Sequence, residues 1–358
     1  MGQRTAGTEQ TPTRRVRLEE VARRAGVSLA TASKVMNGRA AVSAATREAV
    51  AEAAQELGYT PRRRAASGAP RSVAVHLQSV DSPYVMGVLA GITHATRRAG
   101  VELLLSSSEG EGLDRAWMTE VAARGAAGLV ALVTPIAPQH ARWSRSLSLP
   151  LVAVDPIVEG ELAPGVVSVT STNWEGGASA VRHLLELGHR RIGMLAGPRD
   201  SVPAQQRLEG YVSALAKAGL PVDEELIVHG AFREEAGVAG TSALLDLAEP
   251  PTAVFGASDA LAVGALREAR ARGIGVPEGL SVVGFDDTMI TGWTSPQLTA
   301  VRQPLFAMGQ VAVERLLALA ADPGVFSHPF KLETQLVARE STGPAPRYPE
   351  RFRHGAVS

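Results

Sequence analysis

From Ser72 onward, short apolar or β-branched runs alternate with amphipathic stretches, and this alternation constrains the fold more than any other feature of the sequence. Runs of nearly continuous hydrophobicity are typical of strands buried on both faces. Alternation over about 260 residues predicts parallel sheets covered by helices. Because that length exceeds one sheet, we expect two similar α/β lobes with a ligand cleft between them. The predicted strands are Val73–Leu77, Val101–Leu105, Leu129–Val133, Leu151–Val154, Ile192–Leu195, Leu226–Val228, Ala253–Phe255 and Val282–Phe285.

The segments between these runs carry apolar residues at helical spacing. Such spacing places the apolar side chains on one stripe of a helix, which then packs on a sheet. The stripes are Val85, Val88, Leu89 and Ile92; Val181, Leu184 and Leu185; Leu261 and Leu266; and the run Val311–Leu319.

Near the N-terminus the pattern is different and predicts three short helices. Gly26 stands where a tight interhelical turn needs a positive φ, and Ser28 is a good N-cap for the second helix. A third helix is predicted from the cap Ser43 to a stop at Gly58. The predicted inward-facing residues are Leu18, Val21 and Ala22 in the first helix and Ala32, Val35 and Met36 in the second.

The side chains on the outer face of the second helix are small at its N-terminal end and basic further along, which suits insertion into the major groove of DNA. Lys34 can donate to guanine, and Leu29 and Ala30 can touch thymine methyl groups. The alternative is an ordinary three-helix packing motif with a polar surface. Contacts to the DNA backbone are predicted for Ser28, Thr31, Ser33 and Asn37. Arg17 is also predicted to bind DNA.

Charge is unevenly distributed along the chain. The 358 residues contain 36 basic and 36 acidic side chains, of which 13 and 6 lie in residues 1–72, leaving 23 and 30 in the remainder. A basic module attached to an acidic body predicts that the N-terminal part meets a polyanion. A solvated basic tail is the alternative reading of the same charge.

Other compositional features favour a cytoplasmic protein. The chain has no cysteine, which suits a reducing compartment. The first residues lack the apolar segment of a secretory signal, and no apolar run approaches the roughly 18 residues that span a bilayer. We expect no cofactor and no metal.

Several motifs are spread over nearly the whole chain: L-x-x-V-A-x-x-A-G-V-S-x-x-T-x-S-x-V-x-N-G at 18–38, V-S-x-x-T-R at 42–47, L-G-Y-x-P at 57–61, L-x-x-L-G-H-R-R-I-x-x-L-x-G-P at 184–198, R-x-x-G-Y at 207–211, S-V-V-G-F-D-D at 281–287 and L-T-x-V-R-Q-P at 298–304. Together they resemble the motifs of the LacI/GalR family of bacterial repressors. The resemblance implies a homodimer, a pseudo-palindromic operator, and a periplasmic-binding-protein-like core that closes on a small effector, which we expect to be a sugar.

The segment after the third helix departs from this family. The family commonly carries A-R-x-L there, with a leucine that wedges into the minor groove, whereas the matching positions here end in Gly68. Glycine supplies no wedge and disfavours a helix. Arg62, Arg63 and Arg64 can instead contact phosphates or a narrow minor groove, and a merely flexible basic linker is the alternative. The C-terminal residues 344–358 lack an apolar heptad, so we expect a dimer rather than a tetramer.

The resemblance also implies effector contacts. Arg207 resembles the family arginine that reaches effector oxygens, and Asp286 the aspartate that accepts from sugar hydroxyls. Asp259 can cap the helix that follows it. Each of the other candidates can instead be a hydrogen-bonded structural polar group or an aromatic residue of the core. An arginine, an aspartate and aromatic side chains are what a neutral polyol requires. The predicted effector contacts are Tyr84, Arg207, Phe232, Ser258 and Asp286, with His76 and Gln303 as weaker candidates.

The sequence disfavours two other classes of function. An enzyme is disfavoured because no recognised catalytic motif occurs; His183 and His189 lie near a helix end, and we expect them at the surface. A periplasmic sugar-binding protein would need an export signal and no helix-turn-helix. A sugar- or nucleoside-binding protein without specific DNA binding stays as the alternative function. The predicted domains are a disordered tail 1–16, a helix-turn-helix domain 17–61, a hinge 62–71, a two-lobed core 72–343 and a tail 344–358.

Overall fold

Three short helices form the described part of the N-terminal unit: α1 (Leu18–Arg24), α2 (Leu29–Met36) and α3 (Ala44–Glu56). In this computed structural model the chain divides into two units, Met1–Gly68 and Ala69–Ser358. The structure describes residues 18–36, 43–57, 72–108, 112–158, 162–322 and 328–346. The predicted hinge, the N-terminal tail and most of the C-terminal tail lie outside these residues, and the domain boundaries stay predictions.

The turn at Gly26 and the two N-terminal caps form as the sequence predicts, whereas the helix stop predicted at Gly58 lies outside the described residues. Gly26 has a φ of +64°, which a side chain would disfavour. The Ser28 hydroxyl accepts a hydrogen bond from the Thr31 amide at 3.1 Å, and the Ser43 hydroxyl accepts one from the Thr46 amide at 3.3 Å. Both serines therefore cap their helices. The helices enclose a small apolar core of Val21, Ala22, Ala32, Val50, Ala53 and Ala54.

Lobe 1 of the second unit is built on a six-stranded parallel sheet with the strand order β11-β5-β4-β3-β1-β2. Four helices, α4, α5, α6 and α11, pack with this sheet and with each other. The strands are β1 (Ser72–Leu77), β2 (Glu102–Ser107), β3 (Ala126–Leu132), β4 (Leu151–Val154), β5 (Val167–Ser171) and β11 (Phe330–Leu332). The helices are α4 (Pro83–Ala99), α5 (Arg115–Ala123), α6 (Pro138–Leu147) and α11 (Leu305–Ala321).

Lobe 2 has a second six-stranded sheet with the order β12-β10-β9-β8-β6-β7, in which only β12 runs antiparallel to its neighbour. The helix pairs α7–α8 and α9–α10 cover it. The strands are β6 (Ile192–Gly197), β7 (Ile227–His229), β8 (Ala253–Gly256), β9 (Ser281–Asp286), β10 (Thr299–Arg302) and β12 (Gln335–Val337). The helices are α7 (Asn173–Glu186), α8 (Val202–Lys217), α9 (Glu234–Leu245) and α10 (Asp259–Ala271).

The eight strands predicted from apolar runs all form, and four further strands were missed for a physical reason. Strand β5 alternates between buried and half-buried residues, so its hydrophobicity is not continuous. Strand β10 ends in the exposed Arg302, and β11 and β12 have three residues each. The two-lobed α/β architecture is confirmed. Its sheets are parallel apart from the one antiparallel edge strand.

Close packing of α7 against α8 explains the spacing of the R-x-x-G-Y motif. A Cβ at Gly210 would overlap the main-chain oxygen of Trp174, so only glycine allows this approach. One residue later, the Tyr211 hydroxyl is buried and donates to the Ile192 carbonyl at 2.8 Å. These two residues fix α8, which brings Arg207 next to the first residue of α7.

One structural expectation about the histidines was wrong. His189 is fully buried rather than at the surface. Its ring is within hydrogen-bond distance of the Thr252 hydroxyl (2.8 Å) and of the Ser281 hydroxyl and the Gly343 carbonyl (both 3.1 Å). A polar residue can be buried when its nitrogens find partners. The polar sequence around His189 gives no sign of partners that lie 63 or more residues away.

We predict that Gly210→Ala destabilises the core by about 1–3 kcal/mol, because a buried methyl group must displace the α7 backbone. Urea denaturation followed by circular dichroism measures this change. Gly292→Ala is the matched control, since a Cβ at Gly292 meets no atom within 4 Å. Equal stability of the two variants would contradict the packing argument.

Candidate functional site

The outer surface of α2 is the candidate DNA-contacting face of the N-terminal unit. Leu29 is 46% exposed, Ala30 is exposed and Thr31 is half-buried. The Ser28 hydroxyl serves the helix cap, as described above, and lies at the same end. Ser33 and Lys34 lie on α2, but their side chains are outside the described part of the structure. The other predicted DNA contacts also lie outside it: Arg17, Asn37, Arg62, Arg63 and Arg64.

In the described part of the second unit the chain crosses between the lobes three times, after β5, after β10 and between β11 and β12. These crossover segments contact each other directly. The Thr334 amide donates to the Thr172 hydroxyl at 2.9 Å, and the Ser171 hydroxyl donates to the Gln303 side-chain oxygen at 2.6 Å. The crossovers therefore form one hydrogen-bonded hinge beside the carboxyl ends of several strands, the edge where α/β sheets bind ligands.

A buried arginine lies at this hinge. Arg207 is 3% exposed, and its guanidinium stacks on the Phe285 ring at 3.9 Å from the ring centroid. Its Nε donates to Asn173 Oδ1 at 2.8 Å, and Nη1 donates to the Ala257 carbonyl. Nη1 also lies 3.4 Å from Asp286 Oδ1. A guanidinium fixed on several sides presents its donors in a set direction.

Asp286 ends strand β9 and faces Arg207. Its φ of +109° is rare for a residue with a side chain, and such strain persists where the surrounding structure holds it. The Gln303 amide donates to Asp286 Oδ1 at 2.6 Å. Burial raises the pKa of the Asp286 carboxyl to about 6, although Arg207 and the Gln303 hydrogen bond lower it.

Lobe 1 contributes a second carboxylate, Asp155, directly after β4. It also has a positive φ, of +42°. The Tyr84 hydroxyl donates to Asp155 Oδ2 at 2.6 Å, and the Thr170 hydroxyl donates to Oδ1. Burial raises the pKa of Asp155, while these hydrogen bonds and Arg207 lower it. Burial and the adjacent Asp155 carboxylate raise the pKa of the Tyr84 hydroxyl. Asn173 of lobe 2 donates to the Thr170 hydroxyl at 3.1 Å, so residues of both lobes meet beside Asp155.

Of the two remaining predicted effector residues, Phe232 lies near Arg207 and Ser258 caps a helix. The Phe232 ring lies 5.9 Å from the Arg207 guanidinium carbon, so it lines the same region. Ser258 is the N-cap of α10 and accepts from the Leu261 amide at 3.3 Å. The suggestion that Asp259 is the cap was wrong, because Asp259 instead accepts from the Thr288 amide at 2.7 Å.

The two weaker candidates, Gln303 and His76, lie in different parts of the core. Gln303 belongs to the hinge. His76 ends near the Ser108 hydroxyl at 3.1 Å and its ring packs against Trp117, with centroids 5.4 Å apart, within lobe 1.

Sequence reasoning missed Asp155 and Asn173. Asp155 could have been found, since it directly follows the predicted strand Leu151–Val154 and polar residues at that edge commonly meet a ligand. Asn173 gives no such signal, because its role depends on how α8 packs against α7. Within the described ranges, no helix is long and apolar enough to cross a membrane, and no cluster of three His, Cys, Asp or Glu side chains could bind a metal.

Comparison with known proteins agrees with this architecture. Residues 17–62 match the bacterial regulatory proteins of the lacI family, and residues 181–342 match the periplasmic binding protein-like domain. The HTH-type transcriptional regulator MalR of Streptomyces coelicolor is 36% identical over 92% of this chain and 97% of its own length. The HTH-type transcriptional repressor CytR of Escherichia coli K12 is 33% identical, with the same coverage.

Two solved structures are similar over about nine-tenths of this chain. The transcriptional regulator CelR–cellobiose complex has a TM-score of 0.69 and 35% identity, covering 91% of this chain and 100% of that one. The lac repressor dimer bound to operator and the anti-inducer ONPF has a TM-score of 0.68 and 30% identity, covering 92% and 100%. The chain is thus a DNA-binding transcriptional regulator with a helix-turn-helix and a two-lobed core. It belongs to the LacI family, whose matched relatives are regulators rather than enzymes.

We predict that the free energy of unfolding of the parent falls relative to that of Asp286→Asn, by on the order of 2 kcal/mol, between pH 4 and pH 7.5. The pKa of Asp286 is raised from 3.8 to about 6, so the folded state holds its proton more tightly and loses stability as pH rises from 4 to 6. An uncharged amide removes that loss. Urea titrations at pH 4 and 7.5 test this, and a difference between variant and parent that is the same at both pH values would contradict it.

Proposed function

We propose that the protein is a repressor whose affinity for its operator is controlled by a neutral sugar bound between the two lobes. The observation that carries the proposal is the buried Arg207, which pairs with Asp286 of lobe 2 and is connected through Asn173 and Thr170 to Asp155 of lobe 1. A ligand held by both lobes stabilises one arrangement of the lobes over another. Only such differential binding can shift a conformational equilibrium.

The chemistry of the cleft favours an uncharged polyol. Sugar hydroxyls can donate to Asp155 and Asp286 and accept from Arg207 through charge-assisted hydrogen bonds. The aromatic Phe232 suits the apolar face of a sugar ring. An anionic ligand would meet two buried carboxylates against one guanidinium. The similarity to a regulator solved with cellobiose, and to another solved with ribose, supports this ligand class.

The N-terminal unit supports binding to double-stranded DNA. Leu29 and Ala30 are exposed at the start of α2 and carry no bulky polar group, which allows close approach to base edges. Similarity to the lac repressor dimer bound to operator supports a pseudo-palindromic site read by two copies of the chain. We place this activity in the cytoplasm, where the operator lies.

Exposed apolar side chains support a homodimer. In lobe 1, Met86 on α4 and Leu105 on the edge strand β2 are each 50% exposed, and Phe306 at the start of α11 is 45% exposed. In lobe 2, Trp293 is 75% exposed. Large exposed apolar groups mark interaction surfaces, and a two-fold axis would bring the same groups together from both copies.

To test the DNA-binding part, the full-length protein is incubated with fragmented genomic DNA near 150 mM salt, and the bound fraction is sequenced. We predict an enriched inverted repeat. Lys34→Ala is expected to relax the preference at one base pair per half-site by about tenfold, because one base contact is lost. Lys217→Ala, which removes an exposed lysine of the core, is the control. No enrichment by the parent protein would favour the alternative, a sugar- or nucleoside-binding protein without specific DNA binding.

To test the effector part, cellobiose, maltose, ribose and cytidine are titrated calorimetrically into the full-length protein. We predict that at least one sugar binds, and that Arg207→Lys weakens its binding by about tenfold or more, because lysine lacks the planar fork of donors. Arg191→Lys is the matched control, because Arg191 precedes the amino end of strand β6, whereas the cleft lies at the carboxyl ends of the strands. This variant is expected to bind the sugar like the parent. Equal affinity of both variants would remove Arg207 from the site.

A further inference from the structure

The side chain of Asn173 spans one of the three crossovers. Asn173 is the first residue of α7 in lobe 2, and β5 of lobe 1 ends two residues earlier at Ser171. Its amide nitrogen donates to the Thr170 hydroxyl at 3.1 Å and to the Ser171 carbonyl at 3.2 Å. These bonds bridge Thr172, whose backbone dihedral angles must change if the lobes rotate about this crossover.

The oxygen of the same carboxamide accepts from Arg207 Nε at 2.8 Å. A hydrogen-bonded path therefore connects the two cleft carboxylates through Asn173. It runs from Asp155 to the Thr170 hydroxyl, then to Asn173, to Arg207 and to Asp286. Both Asn173 and Arg207 are almost completely buried, at 1% and 3% exposure, so water competes little for these bonds.

The lobes also touch at a point away from the crossovers. Ile157, in the loop after β4 of lobe 1, forms an isolated antiparallel β-bridge with Ser201, the N-cap of α8 in lobe 2. Because α8 also carries Arg207, the position of this helix bears on both the bridge and the arginine. Contact between Ile157 and Ser201 is a direct measure of lobe closure.

We propose that Asn173 is a positioning residue that couples the Arg207 guanidinium to the hinge, so that the place of the arginine and the closure of the lobes are set together. Without the carboxamide, Arg207 loses its Nε partner while Thr170 and Ser171 lose a donor from lobe 2. Thr172 can then adopt other dihedral angles, and the closed arrangement is less populated. The inference rests on the proposed function only in giving Arg207 a sugar to hold.

The absence of cysteine from the chain allows a direct reporter of closure. Residues that face each other in an antiparallel bridge have Cα atoms about 4.5–5.5 Å apart, which lies within the range of a disulfide. The full-length double variant Ile157→Cys and Ser201→Cys therefore oxidises when the lobes are closed. Equilibration in glutathione buffers, without any sugar, gives the effective molarity of the two thiols.

In this background we expect Asn173→Leu and Asn173→Asp each to lower the effective molarity about tenfold. Leucine removes both functions of the carboxamide. Aspartate still accepts from Arg207 but cannot donate to Thr170 or Ser171, and a carboxylate in the first turn of a helix is compatible with folding. The aspartate variant therefore decides the test if the leucine variant does not fold.

The matched control is Thr241→Val in the same background, which removes a fully buried hydroxyl on α9 that has no hydrogen-bond partner within the described structure. It is expected to keep the parent effective molarity. If the folded Asn173 variants also keep the parent value, even with a lower melting temperature, Asn173 has a structural role only and the proposal is overturned. An equal fall in Thr241→Val would overturn it as well. A lack of response to every sugar tested would contradict the proposed effector and leave this result unaffected.

Discussion

The buried guanidinium of Arg207 is the interaction on which the rest of the core depends. An unpaired charge at 3% exposure would cost several kcal/mol, so its surroundings must supply partners on every side. They do so from three directions: the Asn173 carboxamide, the Ala257 carbonyl and the Asp286 carboxylate. Satisfying one charge thus joins α7, α8 and the ends of two strands of lobe 2, and it places the arginine where lobe 1 meets them.

The same requirement relates stability to function. Asp286 and Asp155 both adopt positive φ, and burial raises the pKa of each. A core selected for stability alone would avoid two strained, buried carboxylates, whereas a site for hydroxyl groups requires acceptors that water does not already occupy. The hinge lies beside them, so a ligand that satisfies these groups also bears on the relative position of the lobes. Coupling to DNA binding then requires that the ligand and the DNA each bind the two lobe arrangements with different affinities.

Much of this could be predicted from the sequence, and the exceptions have a common cause. Leu151–Val154 was predicted with its observed bounds because buried parallel strands are apolar throughout, and the caps Ser28 and Ser43 follow from local chemistry. Arg207 and Asp286 were predicted from resemblance and do converge. Asn173 and the buried His189 were missed because their partners come from distant segments. Local periodicity describes one element at a time, whereas these side chains are satisfied only when several elements pack.

A sugar in this cleft and operator DNA should influence each other's binding through the core. The most direct test is reciprocal: the affinity for operator is measured with and without the sugar that binds, and the affinity for that sugar with and without operator. We predict that both affinities change by the same factor, between about 5-fold and 150-fold, since linkage requires equal coupling in both directions. Sugar binding that leaves the operator affinity unchanged would contradict the account.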